Sequence, residues 1–248
     1  MDRLIYTAAS GMTAAMTRQR IVASNLANAQ TIGFRAETLQ STPMTLKGPQ
    51  LQVRAMNQAQ VHSAQMTPGA MIQTGRALDI AMTGDVMLAV QTPDGGEGYT
   101  RRGDLSVSPT GLLQNGEGLP VLGENGPITV PPGSNVTLTP EGGVMVLDPA
   151  NAAEAPTQVG QIKLANWRGS QIAKDLTGIF RVPNGGVLPA DESAKIVVGA
   201  LEQSNVNPTE VLVDMVEAQR SFDIRTKLIA TARELDEGGA SLMRITPA

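Results

Sequence analysis

Residues 25–35 read NLANAQTIGFR, directly after IYTAASGMTAAMTRQRIVAS, a stretch patterned like an amphipathic helix. Asn25 and Asn28 stand three apart and so fall on nearly one helical face, where their amides can bond neighbouring backbone. Gly33 is suited to a positive φ that turns the chain after the helix. A polar helix end with a glycine stop accounts for Gly33 and Asn28 but leaves the rest of the set unexplained.

Outward from this stretch, Ile5, Ala9, Met12, Met16, Gln19, Ala23 and Leu26 recur in alternating steps of four and three, a heptad seam with one polar member. Val211, Met215, Ala218, Phe222, Arg225, Ile229, Ala232 and Leu235 repeat the pattern near the other end. That second helix has a start signal in Asn207 as N-cap, Pro208 at the first helical position and Glu210 three after the cap. Each seam is rich in small residues, so neither helix is stable alone in water. Residues 1–36 carry net charge +3 and residues 201–248 net charge −3, so the two helices can pair, within one molecule or between copies.

Between them, from about 67 to 200, short β-like runs such as LDIAM, VMLAV and VMVL alternate with turns such as Pro93-Asp94-Gly95-Gly96 and Asn115-Gly116. The 26 glycines and 16 prolines, about one residue in six against roughly one in eight in ordinary proteins, suit many short strands. Residues 37–66, Gln-rich and without a clear period, read as an extended connector. The expected class is therefore α+β: terminal helices form a coiled-coil-like layer, a discontinuous domain of 1–36 with 201–248, and 67–200 form a central irregular all-β domain.

Chemistry is sparse. A net charge of −4 without a basic patch argues against nucleic-acid binding. No cysteine is present, which excludes disulfides and thiol nucleophiles. The single histidine, His62, has no acidic cluster or cysteine beside it. No phosphate-cradling or nucleophile motif occurs. Catalytic, cofactor and metal sites are accordingly not expected. The start of the chain lacks the basic region and apolar run of a cleavable secretory signal, and no segment approaches the ~18 apolar residues of a membrane span. Arg102-Gly103-Asp104 spells an adhesive tripeptide, but three residues in a Gly-rich chain are a weak match. The main alternative to a structural role is an adhesin or carbohydrate-binding β module with accessory helices, and an enzyme comes third.

The whole set Asn25, Leu26, Ala27, Asn28, Thr31, Gly33, Phe34 and Arg35 resembles the N-terminal signature of the bacterial flagellar axial proteins, N-L-A-N-x-x-T-x-G-[FY]-[KR]. The resemblance continues through TGRALDIAMTGD at 74–85, YTRRG at 99–103 and LEQSNVNPTEVLVDMVEAQRSF at 201–222. Within the rod proteins, MDRLIYTAASGM, GPITVPPGS, GIFRV and LPAD look most like a proximal-rod member, with a distal-rod subunit as the runner-up. The resemblance implies a non-enzymatic subunit that assembles with copies of itself and with other rod proteins. It further implies passage through the flagellar export apparatus without a cleavable signal and a place in the rod across the periplasm, with no membrane insertion. Residues 25–35 would then be the assembly motif, and Ile5, Met12, Met16, Leu26, Val211, Met215, Phe222, Ile229 and Leu235 the seam that builds the tube wall.

Overall fold

The computed structural model describes residues 2–45, 55–147, 155–175 and 177–243. They divide into two compact units: 1–27, 37–65 and 207–248 form the first, and 28–36 with 66–206 form the second.

The first unit holds two helices, α1 (Asp2–Ala27) and α2 (Pro208–Met243), and the strands β1 (Glu37–Thr45) and β2 (Ala55–Ala64). α2 begins where local chemistry dictates. The Asn207 side chain accepts a bond from the Thr209 amide at 3.1 Å, and its carbonyl accepts the Val211 amide at 3.1 Å. β1 and β2, inside the stretch expected as a connector, pair antiparallel from Glu37↔Ala64 to Thr45↔Ala55. α1 packs against both α2 and β2.

The coiled-coil-like helical layer expected from the heptads is not what forms. The fold is mostly β, many short strands in several small sheets, with one helix at each end of the chain. Among the described side chains of α1, Gly11, Ala14, Ala15, Ile21, Val22 and Asn25 are buried, whereas Ala9 and Ala23 are exposed and Met16 is 55% exposed. The physical reason is the hairpin: a helix covered by both a second helix and a strand buries a broader face than a two-helix seam. Small residues on both sides of α1 make either face compatible with close packing. The α+β class itself holds.

The second unit contains β3 (Met71–Gln73), β4 (Ile80–Met82), β5 (Val86–Gln91), β6 (Glu97–Thr100), β7 (Ser106–Val107), β8 (Leu113–Gln114), β9 (Leu122–Gly123) and β10 (Gly126–Pro127). It continues with β11 (Asn135–Leu138), β12 (Gly143–Leu147), β13 (Thr157–Gln161), β14 (Leu164–Asn166), β15 (Ala173–Lys174), β16 (Phe180–Arg181), β17 (Ile196–Val198) and β18 (Ala200–Glu202). The largest sheet runs β14-β5-β6-β16-β15, and β11-β12-β13 form a second; β3 pairs with β18 and β4 with β17. The apolar run Val86–Val90 of β5 is buried on both faces, as expected for a continuous rather than alternating pattern. Val86, Leu88 and Val90 join Ile80, Leu105, Leu113, Val121, Val144 and Ile196 in the main core, and Met87, Ala89 and Tyr99 are fully buried as well.

Candidate assembly site

The stretch 25–35 is split between the two units. In the first, Asn25 is buried at the end of α1 and bonds both backbone groups of one residue: its Nδ2 donates to the Glu37 carbonyl at 3.0 Å, and its Oδ1 accepts the Glu37 amide at 2.8 Å. The side-chain amide thus acts as a neighbouring strand would. Leu26 is half-buried and Ala27 exposed.

In the second unit, Asn28 and Thr31 close a turn, the Thr31 hydroxyl donating to Asn28 Oδ1 at 3.1 Å and the Thr31 amide to the Asn28 carbonyl at 3.1 Å. Gly33 follows with φ of +68°, and its amide donates to the Glu202 carbonyl at 2.8 Å. A Cβ at Gly33 would stand 2.4 Å from the Arg101 carbonyl, so two independent constraints require glycine here. Phe34 is buried beneath the Lys174 ammonium, which lies 3.5 Å from the ring centroid.

Arg35 completes a buried charge cluster. The side chains of Arg35, Arg101 and Glu202 are 2%, 3% and 1% exposed. Glu202 Oε1 accepts Arg35 Nη1 at 2.6 Å and the Gly69 amide at 2.9 Å, and Oε2 accepts Arg101 Nε at 2.8 Å and Nη2 at 2.5 Å. Arg101 spends its remaining donors on the carbonyls of Gly84, Val86 and Met82, at 2.8, 2.6 and 2.8 Å. Carbonyl dipoles therefore solvate the charge that one carboxylate leaves uncompensated. Burial pushes the Arg35 guanidinium below its ordinary pKa, Glu202 opposes that shift, and Arg101 adds to it. Arg35 Nη1 also donates to the Thr67 carbonyl at 2.7 Å.

Three stretches far apart in sequence thus meet at one carboxylate: 33–35, 101 and 202. Three models of flagellar domain families match the chain: Flagella basal body rod protein at residues 5–35, Flagellar hook protein FlgE/F/G D1 domain at 81–146, and Flagellar basal body rod FlgEFG protein C-terminal at 197–242. The chain is 40% identical to flagellar basal-body rod protein FlgF of Salmonella typhimurium strain LT2, over 97% of this chain and 98% of that one. The chain belongs to the flagellar basal-body rod protein family. It is also 41% identical to FlgF of Escherichia coli K12 over 93% of this chain and 94% of that one, and 29% identical to FlgG of Bacillus subtilis strain 168 over 98% and 100%.

In this rod-family chain the remaining sequence-predicted residues are distributed unevenly. Val211 is buried, Phe222 and Ile229 are half-buried, Met215 and Leu235 are exposed, and Met12 is half-buried; the Ile5 side chain lies outside the described residues. Arg225 donates from Nε to the Ser221 hydroxyl at 3.5 Å and lays its guanidinium over Gly11 of α1, where a Cβ would stand 2.2 Å from Nη1. The charged ends of Arg102-Gly103-Asp104 pair with each other at 2.8 and 3.0 Å, and a Cβ on the buried Gly103 would meet the Ile80 carbonyl at 1.8 Å. Asp104 lies in a bridge to Asp79, and the two charges of the tripeptide, 21% and 18% exposed, are spent on each other. Among the described residues no group of three or more His, Asp or Glu side chains is placed to hold a metal, and no helix is long and apolar enough to cross a membrane.

Arg101 and Glu202 were not singled out from the sequence. The available signal was a charged residue closing the apolar strand ALE, at a position that pairs with Met71.

Proposed function

We propose that this chain is a structural, non-catalytic subunit of the flagellar basal-body rod, in its proximal section. It assembles through its helical unit with copies of itself and with other rod proteins. One observation carries the assembly reading. Leu212, Val213, Val216, Ile224, Leu228 and Leu235 are between 51% and 67% exposed. At about 100° per residue they spread over the side of α2 turned away from Val211, Ala218 and Phe222. A lone soluble chain has no use for a row of six large apolar side chains on one helix. A subunit whose helix is to be covered by neighbours does. The proximal placement is supported by the higher identity to FlgF than to FlgG. Export through the flagellar apparatus and a location across the periplasm complete the reading.

The test is deletion of the gene followed by electron microscopy of basal bodies and a swimming assay, with complementation. Wild-type chain restores rod and swimming, whereas Leu228→Asp and Ile224→Asp chains, which melt like wild type because those positions are already exposed, do not. Normal basal bodies and swimming in the deletion strain would refute the function, and full complementation by both variants would refute the role of this face.

A further inference from the structure

The chain passes four times between its two units, at 27/28, 36/37, 65/66 and 206/207. Inside the β unit, three of these passages end on one side chain. The Asn205 Oδ1 accepts the Ala36 amide at 2.7 Å, and its Nδ2 donates to the Thr67 carbonyl at 2.9 Å. Its backbone amide donates to the Phe34 carbonyl at 3.3 Å. Ala36 borders the second passage, Thr67 lies two residues past the third, and Asn205 itself lies two residues before the fourth. The same segments are tied a second time through charge, because Arg35 bonds both the Thr67 carbonyl and Glu202, and Glu202 also takes the Gly69 amide.

Core packing does not require this convergence. The main hydrophobic cluster is built from residues between Ile80 and Ile196, with none from 33–36, 67–69 or 205. An asparagine amide offers two donors and an acceptor in a fixed plane. Here the oxygen takes the Ala36 amide, and the nitrogen reaches both the carbonyl and the hydroxyl of Thr67. We infer that Asn205, backed by the Arg35–Glu202 pair, is a positioning residue that fastens together the segments joining the β unit to the rest of the chain. Load arriving along one segment is shared with the others. The inference rests on the rod reading, since only a subunit that carries force needs such a clamp.

The experiment uses the full chain. Purified Asn205→Ala and wild type are compared by amide hydrogen exchange, and strains carrying each as their only copy are timed while swimming in buffer of rising viscosity. Loss of these bonds raises exchange at 34–36 and 67–69 by about tenfold, with β5 and β6 unchanged. Swimming matches wild type in thin buffer and falls more steeply as viscosity rises. Asn205→Asp keeps the acceptor for Ala36 and loses the donor to Thr67, so it frees 67–69 alone. The inference is overturned if Asn205→Ala keeps pace with wild type at every viscosity. It is equally overturned if exchange at the two segments does not change, or if speed is lost only together with protection in β5 and β6. A deletion strain that swims normally would instead overturn the rod reading, so the two failures are told apart.

Discussion

Replacing Glu202 by Gln keeps the side-chain shape and removes one charge from a site where the carboxylate is 1% exposed and accepts four hydrogen bonds. Two guanidiniums, 2% and 3% exposed, are then left without a counter-ion. Breaking a buried pair in this way costs about 3–5 kcal/mol. In a chain of this size, at roughly 2–4 °C per kcal/mol, the melting temperature falls by about 10 °C. Arg35→Met acts on the same cluster with a different outcome. It leaves Glu202 neutralised by Arg101, whose five donors all remain bonded. The loss is then limited to about 1–3 kcal/mol for the broken hydrogen bonds. Adding Arg35→Met to Glu202→Gln removes one of the two uncompensated charges, so the double variant is no less stable than Glu202→Gln alone. Unfolding followed through the single tryptophan, Trp167, which lies in the β unit, reads all three. A Glu202→Gln chain within about 1 kcal/mol of wild type, or an Arg35→Met chain as unstable as Glu202→Gln, would refute the charge reasoning.

Gly33→Ala meets both a left-handed φ and the Arg101 backbone, whereas Gly84, also at positive φ, faces open space. Gly33→Ala therefore costs more than the ~1 kcal/mol expected of a strained φ alone, and Gly84→Ala stays near that figure, both read by urea unfolding. The Tyr99 phenol is pushed well above its ordinary pKa, chiefly by burial, with Glu97 adding to the shift. A raised pKa means that the neutral phenol's contribution is complete below the unfolded value of ~10 and is lost as pH rises beyond it, at up to about 1.4 kcal/mol per pH unit. Tyr99→Phe unfolding is correspondingly flatter between pH 10 and 11.5 than wild type, and parallel curves would count against this. Asp94 is held well below the usual carboxylate range by Arg181 and then Thr92. Its contribution is present above pH ~4 and shrinks as pH falls further, so wild type and Asp94→Asn converge toward acid in unfolding titrations.

Local signals were legible in the sequence, and distant ones were not. Asn207 and Pro208 announced the start of α2 because a cap and its helix lie within four residues of each other. The apolar run Val86–Val90 announced a strand buried on both faces. The face of α1 was misread because Gly11, Ala14 and Ala15 are as small as Ala9 and Ala23, so periodicity alone could not decide which side is covered. The hairpin of β1 and β2 was hidden for the opposite reason: ETLQSTPMT and AMNQAQVHSA lack the alternation of apolar and polar residues that marks a half-buried strand. At the site, residues 25–35 stood out as a string. The carboxylate that gathers 33–35 stands 101 residues from Arg101, a pairing that no local pattern encodes.

The bond pattern of Asn25 also bears on how copies of this chain can meet. A strand with unpaired backbone groups along its side invites a strand from another molecule. At Glu37, the first residue of β1, both groups are already taken by the Asn25 amide, and further along Pro43 offers no amide at all. The hairpin is therefore a poor template for edge-to-edge growth at both places. Edge-to-edge addition of strands, the route toward amyloid, is thus discouraged by the same asparagine that stands at the end of the first helix.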